Sequence, residues 1–352
     1  MGKNQLANLL SLNKLTPIIL FGILGISSVF GQNFVNDVSK VGTTAGAILD
    51  MPVNARGLAM GNAISGFGFD ASVIHWNPAA IANTPSILIS ASYIPWLVNT
   101  DLQHFAVVFP LRQITIGGFI TTWSMDDMPV RTEVEQFGTG EYFNAGDLLA
   151  SLTVATSLTD RFSIGFNLKY LQERIWHSTA KGFAIDMGTL YKTDIFKGLS
   201  IIAVITNYGT DMQITGRDQD VFHDPDPIAD GNNEKIPADY STDKWSQPLN
   251  FRFGIAANII QNDFMHLQAE IDLLHPSNNH ETIDIGVETL LRNLIYLRCG
   301  WSSLLQKDSI EGLSVGAGLK IPMVFGSILM DYGFRDFGNL GILHAFTMSL
   351  IL

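Results

Sequence analysis

Charge is scarce in this 352-residue chain: 15% of residues are Asp, Glu, Lys or Arg, against 47% hydrophobic, with a mean hydropathy of +0.21. A soluble globular domain carries about a quarter charged residues, so the deficit points to contact with lipid. Cys299 is the only cysteine, which excludes an internal disulfide. Long apolar runs are also missing. The one sizeable stretch, Thr16 to Phe30, is too short to cross a bilayer as a helix. The eight histidines show no His-x-x-x-His spacing, and the chain has no Gly-x-Ser-x-Gly elbow, phosphate loop or dinucleotide fingerprint. No enzyme and no cofactor is therefore expected. Acids outnumber Lys and Arg 33 to 21, which argues against a nucleic-acid partner.

What the chain has in abundance is alternation. Phe162, Ile164, Phe166, Leu168 and Tyr170 alternate with Ser163, Gly165, Asn167 and Lys169. The same pattern returns at Leu313, Val315, Ala317, Leu319 and Ile321 against Ser314, Gly316, Gly318 and Lys320. Period two means strands, and segments of about ten residues match tilted strands crossing a bilayer. With no apolar helix to span, only a closed barrel satisfies backbone hydrogen bonds in hydrocarbon. Strands are expected to begin near residues 86, 103, 114, 147, 162, 182, 199, 248, 264, 281, 294, 312, 327 and 341. That makes an all-β fold, a transmembrane antiparallel β-barrel of about 14 strands, with an even count as bacterial barrels require.

The connections agree with this count. Tight turns fall at every second connection, while the long stretches 125–146 and 207–247 fall in the other set, as short periplasmic turns and long extracellular loops demand. Trp96, Trp123, Trp176 and Trp301 fall at the extracellular ends, where an aromatic girdle is expected. Cys299 shares parity with Ile295, Leu297 and Trp301 and is expected to face lipid. Lys169, Asp186, Arg252, Asp284, Glu288, Arg298, Lys320, Asp331 and Arg335 fall on the lumenal parity. Their mixed signs read as ion pairs rather than as a pore selective for one sign.

Before the strands the pattern differs. Lys3 and Lys14 precede the apolar stretch, and Val29 and Gly31 stand at the small-residue positions, so 1–31 reads as a secretory signal peptide. Its removal leaves a net charge of −14 and implies a bacterial outer-membrane location, with outer-membrane lipid as partner. Residues 32–85, polar and Gly-rich, cannot face lipid and are expected as a lumenal plug, followed by the barrel at 86–352. Short helical turns are expected around 43–49 and 78–82. Arg56, enclosed, needs a lumenal carboxylate or carbonyls as acceptors. Asn77 caps a turn that Pro78 starts without wasting a donor. His75 reads as a packing residue.

Arg56, Gly57 and Gly61, then Asp70-Ala-Ser, then Asn77-Pro78-Ala79, feeding a barrel of this size, resemble the long-chain fatty-acid transporter (FadL-like) superfamily, whose N-terminal hatch carries an Asn-Pro-Ala motif. More narrowly, Lys40 to Leu49, Ala55 to Gly61 and His75-Trp-Asn-Pro-Ala79 look like the PorV/PorQ branch. The PorV/PorQ resemblance implies a noncatalytic barrel assisting protein secretion and surface delivery of type IX kind, with secreted cargo proteins or secretion-system components as partners. The wider resemblance implies the alternative, a passive channel for hydrophobic small molecules. It also implies a kink in the third strand, for which Gly117 and Gly118 are the candidates, since paired glycines weaken strand pairing. The terminal Ser349-Leu-Ile-Leu352 departs from the usual aromatic ending but keeps apolar parity.

One loop stands out for its acids. Asp218, Asp220, Asp224 and Asp226 lie in 207–247, which reads as a partner-docking surface or, through paired oxygen ligands, a calcium site, without EF-hand spacing.

Overall fold

The computed structural model describes residues 40–352 apart from 69, 196, 197, 227, 229–232, 234, 305, 307 and 308. The expected signal peptide lies outside the described residues.

Fourteen long strands form the wall: β1 (Leu88–Trp96), β2 (Thr100–Pro110), β3 (Thr115–Met125), β4 (Ala145–Ser157), β5 (Phe162–Ile175), β6 (Ser178–Lys192), β7 (Ser200–Gly209), β8 (Asn250–Gln261), β9 (Met265–Pro276), β10 (Thr282–Leu291), β11 (Ile295–Trp301), β12 (Leu313–Met323), β13 (Gly326–Asp336) and β14 (Ile342–Ile351). Each pairs antiparallel with its sequence neighbours, and β1 closes on β14 from Leu88 opposite Ile351 to Tyr93 opposite Phe346. Closure leaves no free edge, the condition for a sheet in hydrocarbon. The expected all-β architecture of 14 antiparallel strands is therefore the observed one. Most strands start within a residue or two of the positions read from alternation; β6 starts four residues early, because Ser178 and Ala180 continue the pattern through a polar stretch.

Parity decides which face each side chain takes. On β5, Phe166 and Leu168 are exposed while Ser163, Gly165, Asn167 and Lys169 are buried. The exposed set continues around the wall through Phe105, Ile120, Leu152, Phe183, Phe253, Leu273, Leu297, Val315 and Phe346. A continuous apolar outer face on a closed barrel makes this a bacterial outer-membrane protein. Cys299 is exposed on that face. Among the described residues no helix is long and apolar enough to span.

The long connections, 126–144, 210–249 and 302–312, all lie at one end. The second carries a small hairpin that pairs Asp220–His223 with Ile236–Asp239. One expectation about this end is corrected. Trp96 and Trp123 share the parity of the buried residues of β1 and β3, and so point into the lumen rather than joining a lipid girdle. Trp96 packs edge-on against Phe337, and Trp123 donates from Nε1 to the Thr100 hydroxyl at 3.1 Å. Depth along a strand had placed them; the face depends on single-residue register.

Candidate functional site

The chain ahead of β1 packs against the inward face of the wall. Its described residues hold one helical turn and three 3₁₀ turns: Ala47–Asp50, α1 (Ala55–Ala59), Ala71–His75 and Pro78–Ile81. Three of these start on a side-chain cap. The Asn54 carboxamide oxygen accepts from Gly57 N at 2.7 Å, Asp70 from Ser72 N at 2.8 Å, and Asn77 from Ala79 N at 2.9 Å, with Pro78 in the first position. Each cap satisfies a backbone donor that no water reaches in the lumen. Asn77 donates to the Ser65 carbonyl at 2.9 Å, tying the turn to the preceding loop. Turns 47–50 and 78–81 fall where helical turns were expected; α1 and 71–75 did not stand out, being only five residues each.

Geometry spreads this segment over the wall. α1 lies against β11 to β14, residues 71–75 against β1 to β3, and residues 78–81 against β4 to β6. Glycines permit the close approach. Gly61 takes a left-handed φ of 63°, and a Cβ there would stand 2.7 Å from the Trp301 amide. Opposite the Pro78 turn, a Cβ on Gly165 would stand 2.5 Å from the Pro78 carbonyl carbon.

Arg56 anchors α1. Its Nε meets Glu288 Oε2 at 3.0 Å, Nη2 meets Oε1 at 3.3 Å, and Nη1 donates to the Phe67 carbonyl at 3.0 Å and lies 3.5 Å from Asp70. Burial by itself would lower the guanidinium's pKa, but the Glu288 and Asp70 charges overcome this and raise it. Glu288 also pairs with Arg298, which pairs with Asp331. Arg335 donates from Nη2 to the Leu58 carbonyl at 2.9 Å. The ion pairs expected in the lumen thus include a chain linking α1 to β10, β11 and β13.

A second group joins the inner segment to β8 and β9. Ser65 Oγ lies 2.8 Å from Glu270 and 3.0 Å from Asp272, and Arg252 bridges Asp272 (2.7 Å) and the Asn62 carbonyl (3.0 Å). Sequence reading missed Glu270 and Asp272, although Ile271 and Leu273 between them alternate as outward residues. On the far side Lys169 meets Asp186 at 2.7 Å and Asn207 at 2.8 Å, at a register shift between β6 and β7. Lys320 instead sits near the turn end of β12 and reaches Asn293 at 3.3 Å in an exposed contact.

His75 is buried edge-on to Trp76 and Phe119, beside His104, whose Nδ1 meets Thr121 at 2.8 Å. Desolvation, reinforced by Lys169, His104 and Arg252, holds His75 well below the usual imidazole range, so it is neutral at pH 7.

The remaining sequence candidates fall elsewhere. Gly117 and Gly118 lie in an unbroken ladder with both β2 and β4, without a register shift. No bulge marks the third strand at these glycines. An added Cβ on Gly117 would stand 3.0 Å from the Val107 carbonyl oxygen, with Ile74 Cδ1 of the inner segment in ordinary contact at 3.6 Å. Asp218 accepts from His177 N (3.1 Å) and Ser178 Oγ (2.9 Å) and lies 3.0 Å from His177 Nδ1. The little desolvation it meets would raise its pKa, but these bonds hold the carboxyl below its ordinary value. Asp220 opens the hairpin, while Asp224 and Asp226 accept from Asp226 N and Ile228 N in successive turns. Among the described residues no three His, Cys, Asp or Glu side chains come together as a metal site.

The lumen is chemically lopsided. Charged side chains crowd the wall of β8 to β13; β4 to β6 carry the Lys169–Asp186 pair, Asp147 and Glu173, but with β3 and the loop after β7 they also contribute an apolar seam. Leu149, Leu171, Ala180 and Met212 pack with Ile48 and Leu49, and Trp123 and Ile214 lie against them. Above the seam, at the long-loop end, lies a cavity of about 240 Å³ lined by Trp123, Ile175 and Ile214 together with Asp147, Glu173 and Arg174.

No family model and no curated protein matches this sequence. Among solved structures it is similar to the Pseudomonas putida toluene transporter TodX, at 12% identity over 86% of this chain and 98% of TodX, with a TM-score of 0.54. The chain shares its fold with outer-membrane channels. Two more are the CymD monoaromatic hydrocarbon channel, at 11% identity over 85% of this chain and 96% of CymD (TM-score 0.52), and a Pseudomonas aeruginosa FadL homologue, at 12% identity over 86% and 98% (TM-score 0.50).

Proposed function

We propose that this protein is a passive outer-membrane channel for hydrophobic small molecules, plugged at rest by residues 40–85. The apolar seam carries this reading. It sets apolar side chains, Leu171 and Leu149 against Ile48 and Leu49, below the loop-end cavity, where a hydrophobic molecule would meet them once the plug moved. Channels of the same fold are named for toluene and other monoaromatic hydrocarbons, which supports that substrate class. The plug is held by the Arg56 to Glu288 pair and by the Asn77 turn, and its displacement opens the route.

Uptake of labelled toluene or a long-chain fatty acid, in an outer-membrane host lacking its own hydrocarbon channel, tests this reading. Uptake rises with the wild-type protein and falls back when Leu171→Asp puts a charge into the seam. Unchanged uptake with a correctly inserted wild-type barrel overturns it.

A PorV/PorQ-type role in secretion keeps support from the quoted N-terminal residues and from loop 210–249, whose paired hairpin gives a partner an ordered surface. Crosslinking of that loop to the C-terminal domain of a secreted protein favours it; co-extraction of a hydrophobic molecule in the lumen favours the channel.

A further inference from the structure

A polar cavity of about 170 Å³ lies between the inner segment and the wall of β5 and β7 to β10. Asp50, Asn62, His75 and Trp76 line it from the inner segment, and Asn250 and Asp284 from the wall. From these groups and their partners we infer that the cavity binds a small organic cation, a primary ammonium on a short apolar body. The inference goes beyond the channel reading and does not depend on it.

The charge balance comes first. Lys169 and Arg252 also line the cavity, but each is paired with a buried lumenal carboxylate of the wall, Asp186 and Asp272, both at 2.7 Å. Glu311 is within 3.6 Å of Arg335. Asp50 and Asp284 have only neutral donors: Asn278 for the first and Ser303 N, at 2.9 Å, for the second. Among the described residues neither has a cation within ion-pair distance, and Lys169 and Arg252 act on them only from further away. A bound cation supplies the direct partner that the described residues do not.

Hydrogen bonding points the same way. Asn62 Oδ1 and Asn250 Oδ1 are buried acceptor atoms without a partner, and His75 Nδ1 is a buried ring nitrogen without one. Buried acceptors without a donor are rare, and an ammonium carries three donors. Trp76 adds an aromatic ring beside which an alkylammonium is favoured. Size sets the limit: a cavity of about 150 Å³ holds benzene, so the ligand has about five to nine heavy atoms.

Calorimetric titration of the detergent-solubilised full-length barrel tests the proposal, with butylammonium, 1-butanol and butyrate as probes of one size and three charges. Saturable binding of butylammonium alone is expected, weakened at least about tenfold by Asp284→Asn and again by Asp50→Asn. Heat-modifiable migration checks that each variant folds; if Asp284→Asn does not fold, Asp50→Asn, on the inner segment, carries the test. No butylammonium binding, equal binding of butanol, preferential binding of butyrate, or an unchanged affinity in the folded variants overturns it. None of these outcomes bears on toluene uptake, so the site and the channel stand or fall separately.

Discussion

Arg56 and Glu288 meet face to face across the lumen, guanidinium edge to carboxylate at 3.0 and 3.3 Å, with both side chains 2% exposed. A pair this dry contributes little net stability relative to an apolar replacement, yet breaking it strands a buried charge, at a cost of about 3–5 kcal/mol. The two partners are not equivalent. Removing Arg56 leaves Glu288 with Arg298, whereas removing the Glu288 charge leaves two guanidiniums short of an acceptor.

Arg56→Ala is therefore expected near the lower end of that range and Glu288→Gln near the upper end. Both loosen the inner segment and raise small-solute leakage through proteoliposomes, Glu288→Gln more, while heat-modifiable migration of the barrel persists. Asn77→Ala, which removes a cap of about 1 kcal/mol, raises leakage less. Unchanged leakage in all three would count against the plug.

Gly165→Val tests the same docking from the wall side. The added side chain runs into Pro78 backbone, which has no rotamer to escape through. Leakage should rise as it does for Arg56→Ala, and the same substitution at Gly312, where the one neighbour of a Cβ is Trp301 Cζ2 in ordinary contact at 3.9 Å, should leave leakage alone. Equal behaviour of the two variants would refute the contact.

Acid should loosen the inner segment through His75. Its pKa is lowered by burial when docked and returns to about 6.5 when released, so the released state binds more protons as pH falls below 6.5. Docking strength conferred by His75 is complete above pH 6.5 and declines as pH falls towards the depressed value, by up to about 1.4 kcal/mol per unit. Asp50 works in the opposite sense, since burial within the barrel pushes its carboxyl up to about 6. Its side chain is exposed to the water of the cavity, so this contribution is the smaller one. The difference in leakage between wild type and His75→Gln, followed from pH 7 to pH 5, isolates the histidine; identical profiles would exclude it.

The loop pair His177 and Asp218 should matter only locally. It is partly exposed, at 30% and 27% of the side chains, and such pairs are worth about 1 kcal/mol or less. Asp218→Ala is expected to speed proteolytic nicking within 210–249 without altering barrel migration or leakage. Loss of the heat-modified shift would show that the loop supports the wall.

Much of this molecule was legible in one dimension. Alternation located the 14 strands, the spacing of tight turns sorted the connections, and Asn77-Pro78 announced its own turn, because each signal is written in neighbouring residues. Arg56 declared its need for an acceptor but not which one. Glu288 is 232 residues away, and only the closing of β1 on β14 brings it opposite.

The same limit explains the corrections. Trp96 and Trp123 had the right depth and the wrong face. Period and turn chemistry are local properties of the backbone, so the sequence by itself determined a barrel, its strand number and its membrane. Which side chains meet across the lumen depends on stagger and closure of the whole wall. Tertiary structure alone therefore decided the ion-pair chain, the apolar seam and the polar cavity.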